Sequence, residues 1–300
     1  MTDRELARHE DGTVPTVRRA CTRSIWRTAL SIRRTQIGIF LVLLLFFIAL
    51  FGPYIAPYSQ TAFVARPNSL PSVKALLGTD YLGQDVLSRF LEGGASILIE
   101  AFVATGLGVI AGAATGLVSA YARNVLDDVL MRALDVILAF PPIMFALVAV
   151  ATVGPKTWVV VLAVAVTTAP RVARVARGAA QPVIVRDFVL SAEALGMPRW
   201  RIVFGEVLPN AMAPLLVEAT FRLIYAIGVI ASLAFLGLTP DPDGANWGTM
   251  IQQNQVSLAV QPWGVVVPVV AIAVLMIGTA LVGDGLARAS AGIERRAESA

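Results

Sequence analysis

The sequence predicts an all-α polytopic membrane protein with six transmembrane helices and both termini in the cytoplasm. Three observations predict it. Hydrophobic residues make up 57% of the chain and charged residues 15%, with a mean hydropathy of +0.74, a balance outside the range of soluble domains. The apolar residues gather into six runs of 19–25 residues, each long enough for ~30 Å of hydrocarbon. With six spans and the N-terminus inside, 19 Lys and Arg fall on the cytoplasmic side, while Arg66, Lys74, Arg89 and Lys156 fall outside. That asymmetry sets the orientation through the positive-inside rule.

Residues 1–36 form a basic cytoplasmic tail. Arg18, Arg19, Arg23, Arg27, Arg33 and Arg34 interleave with Val17, Ile25, Trp26, Leu30 and Ile32, a pattern open to an interfacial helix on phospholipid headgroups or to an unstructured tail. The only Cys and the only His, Cys21 and His9, both lie here, so no internal disulfide, Cys/His metal site or Cys–His catalytic pair is expected. The first span covers residues 37–57. Its apolar run, Ile37–Ile55, exceeds the ~7–15 residues of a signal-peptide core, and no small-x-small cleavage site follows, so it reads as an uncleaved anchor.

Residues 58–94 form an extracytoplasmic segment. Within it Asp80 and Asp85 flank Gly83 and begin a short amphipathic helix with Val86, Leu87, Phe90 and Leu91 on its apolar side. The spacing does not supply the six or more oxygens a calcium ion takes. These residues are read as shaping the outer mouth, and no metal is expected.

Residues 95–290 hold five further spans. Ile97–Tyr121 carries Gly106, Gly108, Gly112 and Gly116, small-x3-small spacings that let helices approach closely. Ala133–Val153 is broken by Pro141 and Pro142, which should kink it and make it a gate candidate. Trp158–Ala176, Leu215–Leu238 and Gly264–Leu286 complete the set, and residues 291–300 are a cytoplasmic tail.

Between the fourth and fifth spans lies RDFVLSAEALGMPRWRIVFGEVLPN, Arg186–Asn210, with six charges that cannot rest in hydrocarbon. Asp187–Leu195 reads as a short helix, Gly196 and Pro198 break it, and Arg199–Leu208 forms a second run before Pro209. A helix–Gly–helix loop of this kind is a docking element for something in the water phase, or else an amphipathic connector on the membrane surface.

These residues resemble the cytoplasmic loop E-A-A-x-x-x-G-x9-I-x-L-P of import-type ABC-transporter permeases. Ser191, Ala192 and Gly196 fall in register, and Leu208-Pro209 lies at the right distance. Leu190, Ser191 and Glu206 depart from the family's Glu, first Ala and Ile. The wording A-x-A-L-G, Ala192 to Gly196, is most similar to the dipeptide/oligopeptide/nickel branch. Three more blocks match that branch in order: Gly78–Arg89, with Gln84 in place of an Arg; Phe235–Leu238 with Trp247–Met250; and Gly283–Leu286.

The resemblance implies an ABC importer type I permease fold in the bacterial cytoplasmic membrane, and specifically the second, C-type permease of a heterodimeric pair. It implies a homologous second permease, two ATP-binding subunits or a fused pair, and an extracytoplasmic substrate-binding protein. Nucleic acid is not an expected partner. Loop 182–210 would insert into the ATP-binding subunit through Asp187, Ser191, Ala192, Glu193, Ala194, Leu195, Gly196, Leu208 and Pro209. The substrate class would be peptides, although relatives also carry nickel complexes, haem or glutathione. No G-x-x-x-x-G-K-[ST] occurs, so ATP and Mg belong to partner subunits, no cofactor is expected on this chain, and the chain is expected not to be an enzyme.

A secondary transporter driven by an ion gradient is the competing reading. It is disfavoured by the absence of an internal repeat and by few intramembrane carboxylates, of which Asp135 and Glu218 are the candidates. One feature comes from the residues alone. Glu218 and Arg222 sit inside the fifth span at i, i+4, acid first, on one helix face. A charge at that depth costs at least ~2.5 kcal/mol, so the face should point at protein or water. The pair either lines the translocation pathway or serves as a self-satisfied packing contact.

Overall fold

A computed structural model of the chain describes residues 27–122, 125–241 and 244–298. Among them there is no strand, only two isolated bridges, Phe63 with Gln84 and Thr79 with Asp85. The elements are α1 (Arg33–Ile55), α2 (Val86–Ala122), α3 (Val125–Leu138), α4 (Pro142–Val153), α5 (Thr157–Ile184), α6 (Asp187–Ala194), α7 (Arg199–Phe235), α8 (Trp247–Asn254) and α9 (Trp263–Glu298). Five helices are long and apolar enough to cross a membrane: α1, α2, α5, α7 and α9. The bent pair α3–α4 makes a sixth if it is one span. Most of the basic tail lies outside the described residues, including Cys21 and His9. From Arg27 onward a helical turn over residues 27–30 buries Ala29 against Leu286 and Ala289 of α9.

The spans are longer than their apolar runs. α2 begins at Val86 and runs unbroken through Gly93 and Gly94, where the extracytoplasmic segment was expected to end. The glycines do not break the helix because they make room. A Cβ at Gly94 would lie 2.6 Å from the Trp247 ring, and one at Gly93 3.1 Å from the Asn246 nitrogen. Likewise α5 continues through Pro182 to Ile184, and α9 runs to Glu298.

The most extensive pairing is between α2 and α5. Gly108, Gly112 and Gly116 face Ala165, Ala169 and Ala173, three levels at matching four-residue intervals on both helices. A Cβ at Gly112 would strike the Ala169 carbonyl oxygen and lie 2.7 Å from Val172 Cβ. The small residues thus bring two backbones into contact, as packing without a hydrophobic drive requires. Gly106 points elsewhere, with nothing within 4 Å of its Cβ position. On the far side α1 packs against α9 through Gly38 and Gly278, leaving Phe40, Leu43, Phe47 and Leu50 more than half exposed. In a spanning helix that outward apolar face is suited to lipid.

The predicted kink at Pro141-Pro142 is a full break. α3 ends at Leu138, α4 starts at Pro142, and the two axes differ by 79°. Pro141 is the N-cap residue of α4 and Pro142 its first helical residue, where a missing N–H costs nothing. Tandem prolines here start a new helix rather than bend an old one. Pro209 shows the opposite correction. It does not end the second run of the loop, because α7 continues from Arg199 to Phe235 through a π-helical stretch at Val203–Val207, with Pro209 in the first turn of the α-helix that follows. The Leu208 N–H reaches the Val203 oxygen. That wider turn takes up the disruption a proline imposes on the i→i−4 ladder.

Candidate functional site

Three regions hold the residues singled out in the sequence, and the structure does not bring them together into one site. The first is the segment between α1 and α2. Asp80 and Arg89 form a buried ion pair, both nearly inaccessible. The other Asp80 oxygen accepts from the N–H groups of Leu82 and Gln84, each at 2.9 Å. Arg89 also donates to Gln253 at 3.0 Å. Gly83 turns the chain at φ +87°, and Asp85 caps α2 by accepting from the Ser88 N–H at 2.9 Å. The segment is pinned to the stretch between α7 and α9: Asn254 accepts from the Tyr81 N–H, and Gln261 donates to the Leu77 oxygen. Trp247 is fully buried, stacks on Phe90 at 5.4 Å and donates its indole N–H to the Phe90 oxygen at 2.9 Å. Both Asp80 oxygens and one of the two Asp85 oxygens are therefore spent on this framework. Among the described residues no group of three or more His, Cys, Asp or Glu side chains is placed to hold a metal.

The second region is the loop. Asp187, Ser191, Ala192, Glu193 and Ala194 lie in α6, and Leu195 caps it. Gly196 adopts φ +72°. Its N–H reaches the Glu193 oxygen at 2.9 Å, and the Met197 N–H reaches the Ala192 oxygen at 3.1 Å. These are the two bonds of a Schellman turn, which asks for glycine because of its φ. Space is not the reason, since nothing lies within 4 Å of a Cβ there. Val189 and Ile202 are buried together with Leu117 and Ala120 of α2, and Tyr121 donates to Glu193 at 2.6 Å. Leu195, by contrast, is 81% exposed at the tip. A side cavity of about 280 Å³ opens between the end of α2 and Trp200, Val203 and Phe204.

The third region lies among α4, α5, α7 and α9, in a cavity of about 530 Å³ lined by Ile143, Arg171, Glu218, Arg222, Tyr225 and Met276 among others. Arg222 Nε lies 2.8 Å from Glu218 Oε1, so the i, i+4 pair forms. Its N–H is not aligned on the carboxylate well enough to count as a hydrogen bond. The guanidinium lies 5.9 Å from the centre of the Tyr225 ring. Arg171 was not among the residues singled out in the sequence; α5 runs to Ile184 and places it halfway along that helix. Its neighbours Arg174 and Arg177 are paired with Asp135 and Asp127 of α3. Asp135 is thus an ion-pair partner, about half exposed, and not an isolated intramembrane carboxylate. Glu100 of α2 is the buried carboxylate that went unremarked; its signal was a lone acid in the apolar run ILIEAF.

A bundle of long apolar helices with a folded loop outside the apolar zone, and a charged cavity midway along its spans, defines a membrane transport subunit. The chain belongs to the inner-membrane components of binding-protein-dependent transport systems, whose family pattern matches residues 104–292. Residues 22–71 match the N-terminal transmembrane domain of oligopeptide transport permease C. It is therefore a permease component of a bacterial ABC importer, in the inner membrane, and hydrolysis of ATP belongs to a separate subunit. It is 35% identical over 256 residues to the di/tripeptide transport system permease protein of Pseudomonas aeruginosa, covering 83% of this chain and 84% of that one. It is 33% identical over 261 residues to the dipeptide transport system permease protein of Haemophilus influenzae, covering 85% and 88%. A glutathione transport system permease protein of Pectobacterium atrosepticum is 32% identical over 280 residues, covering 91% and 93%.

Proposed function

We propose that this chain is the C-type permease of an ATP-driven peptide importer. It forms half of the translocation pathway beside a homologous second permease, with both termini in the cytoplasm. Two ATP-binding subunits, or a fused pair, dock on loop 182–210, and an extracytoplasmic binding protein delivers substrate. The observation that carries the reading is the loop: a short helix held from behind by α2 and its Schellman turn, with Leu195 81% exposed at its tip. An exposed leucine on a braced helix suits insertion into a groove on a partner.

The cavity around Glu218 and Arg222 is the pathway segment on this subunit, since a charged, accessible surface midway along a span needs water or substrate. Peptide is the substrate class because relatives over most of the chain carry dipeptides or di/tripeptides by name, and glutathione, itself a small peptide, fits the same chemistry.

The test is reconstitution in proteoliposomes. Labelled dipeptide should enter only with ATP, the second permease, the ATP-binding subunits and the binding protein all present. Uptake by the purified chain alone, down an ion gradient, would overturn the reading.

A further inference from the structure

We propose that the cavity is a carboxylate-binding site in which Arg171 and Arg222 together hold an anionic group of the substrate. This rests on the reading of the cavity as pathway. The argument begins with charge. Three groups charged at neutral pH line the cavity: Arg171, Glu218 and Arg222. Glu218 pairs with Arg222, which leaves the guanidinium of Arg171 uncompensated. Among the described residues no carboxylate lies within ion-pair distance of Arg171.

The contrast along α5 sharpens the point. Arg174 and Arg177 lie one and nearly two turns further on, and each has an aspartate of α3 set against it. The fold neutralises the two arginines that clasp α3 to α5 and leaves the third, which faces the cavity, without a partner.

Depth gives the same answer. Arg171 is fourteen residues from the start of α5 at Thr157, and Arg222 fourteen residues from Leu208, where the regular part of α7 begins. At 1.5 Å per residue each is roughly 21 Å from its helix end, close to the middle of a 28-residue helix in both cases. Two guanidinium groups on facing helices at that level, with one carboxylate in the same cavity, attract a single negative charge. Arg222 is poorly committed to Glu218, because its Nε–H is not aligned on the carboxylate oxygen, so it can turn its planar fork to an incoming carboxylate in the bidentate manner guanidinium favours. The ligand class is therefore a carboxylate, whether the C-terminus of a short peptide or an acidic side chain.

The experiment uses the assembled transporter with Cys21→Ser and Gly228→Cys. Gly228 lines the same cavity, and a Cβ there meets only Met276 Cε, at 3.8 Å. Labelling rates with a negatively and a positively charged methanethiosulfonate are compared at low salt. The anionic reagent should be favoured on the order of tenfold, as a net charge at close range dictates. Arg171→Gln should abolish the preference and Arg171→Lys should keep it. Ala-Ala should slow labelling, whereas Ala-Ala amide should not. Protection by a peptide amide bearing a glutamate side chain would extend the site to side-chain carboxylates, and its failure would confine the site to the C-terminus. Equal rates for the two reagents, a preference unmoved by Arg171→Gln, or equal protection by acid and amide would overturn the carboxylate site while leaving the pathway standing. No labelling in any nucleotide state would remove the pathway reading itself, and this inference with it.

Discussion

Replacing Gly112 with Ala isolates the α2–α5 contact. The added Cβ strikes the Ala169 oxygen and lies 2.7 Å from Val172 Cβ and 3.1 Å from the Ala173 nitrogen. Carbon atoms rest at about 3.5–4.0 Å, so the helices must part by roughly 1 Å at this level. Two of the three atoms struck are backbone, which cannot rotate aside. Overpacking of this kind costs about 1–3 kcal/mol. Against it stands the gain of about 1 kcal/mol that alanine brings over glycine in a helix interior. The control is Gly106→Ala on the same helix, where nothing lies within 4 Å and only the gain applies. The two variants should therefore differ by about 1–3 kcal/mol, Gly112→Ala being the less stable. The measurement is the thermal midpoint of the assembled complex in detergent, followed by fluorescence-detected gel filtration. Coincident midpoints for the two variants would refute the idea that backbone contact, and not glycine itself, is what this pairing depends on.

Three further outcomes follow from the other regions. Gly196→Asn should keep the Schellman turn and substrate-stimulated ATPase, because asparagine tolerates positive φ, while Gly196→Val should leave the subunit in the membrane with ATPase uncoupled; equal ATPase coupling in both would count against the turn. Arg89→Met should destabilise the segment between α1 and α2 by about 3–5 kcal/mol by leaving Asp80 buried and unpaired, and Asp80→Asn in the same chain should restore part of that, read as protease resistance of residues 58–94. Replacing Pro141 and Pro142 together by Ala should let α3 and α4 join into a straighter helix and lower uptake; normal transport by that variant would dispose of any gating role for the break.

What the sequence made legible follows from what hydropathy and punctuation encode. Apolar run length located the spans, and Gly196 followed by Pro198 marked the end of α6 because a left-handed residue and a ring-locked φ leave few alternatives. What escaped notice depends on relations between helices. The prolines at 141–142 and at 209 look alike in sequence, yet the first pair starts a helix at 79° to the previous one and the other is absorbed by a π-helical turn. Arg171, Arg174 and Arg177 read alike in sequence, and α5 carries all three in one unbroken helix. That Arg174 and Arg177 are neutralised from α3 while Arg171 is not can be known only once α3 is laid beside α5. The stacking of Trp247 on Phe90 joins residues 157 positions apart, beyond the reach of any local pattern.

The interlocked small residues of α2 and α5 have a mechanical meaning. Helices meshed at three successive levels cannot slide past one another, so the two act as one beam. One end of that beam runs out of α5 directly into α6, and the other, along α2, carries the Trp247 and Asn246 contacts of the stretch between α7 and α9. A 37-residue helix is about 55 Å long, so tilting it by about 10° swings its far end by roughly 10 Å. Force applied to α6 on one face of the membrane would thus be delivered to the opposite face as displacement, without any helix having to unwind between them.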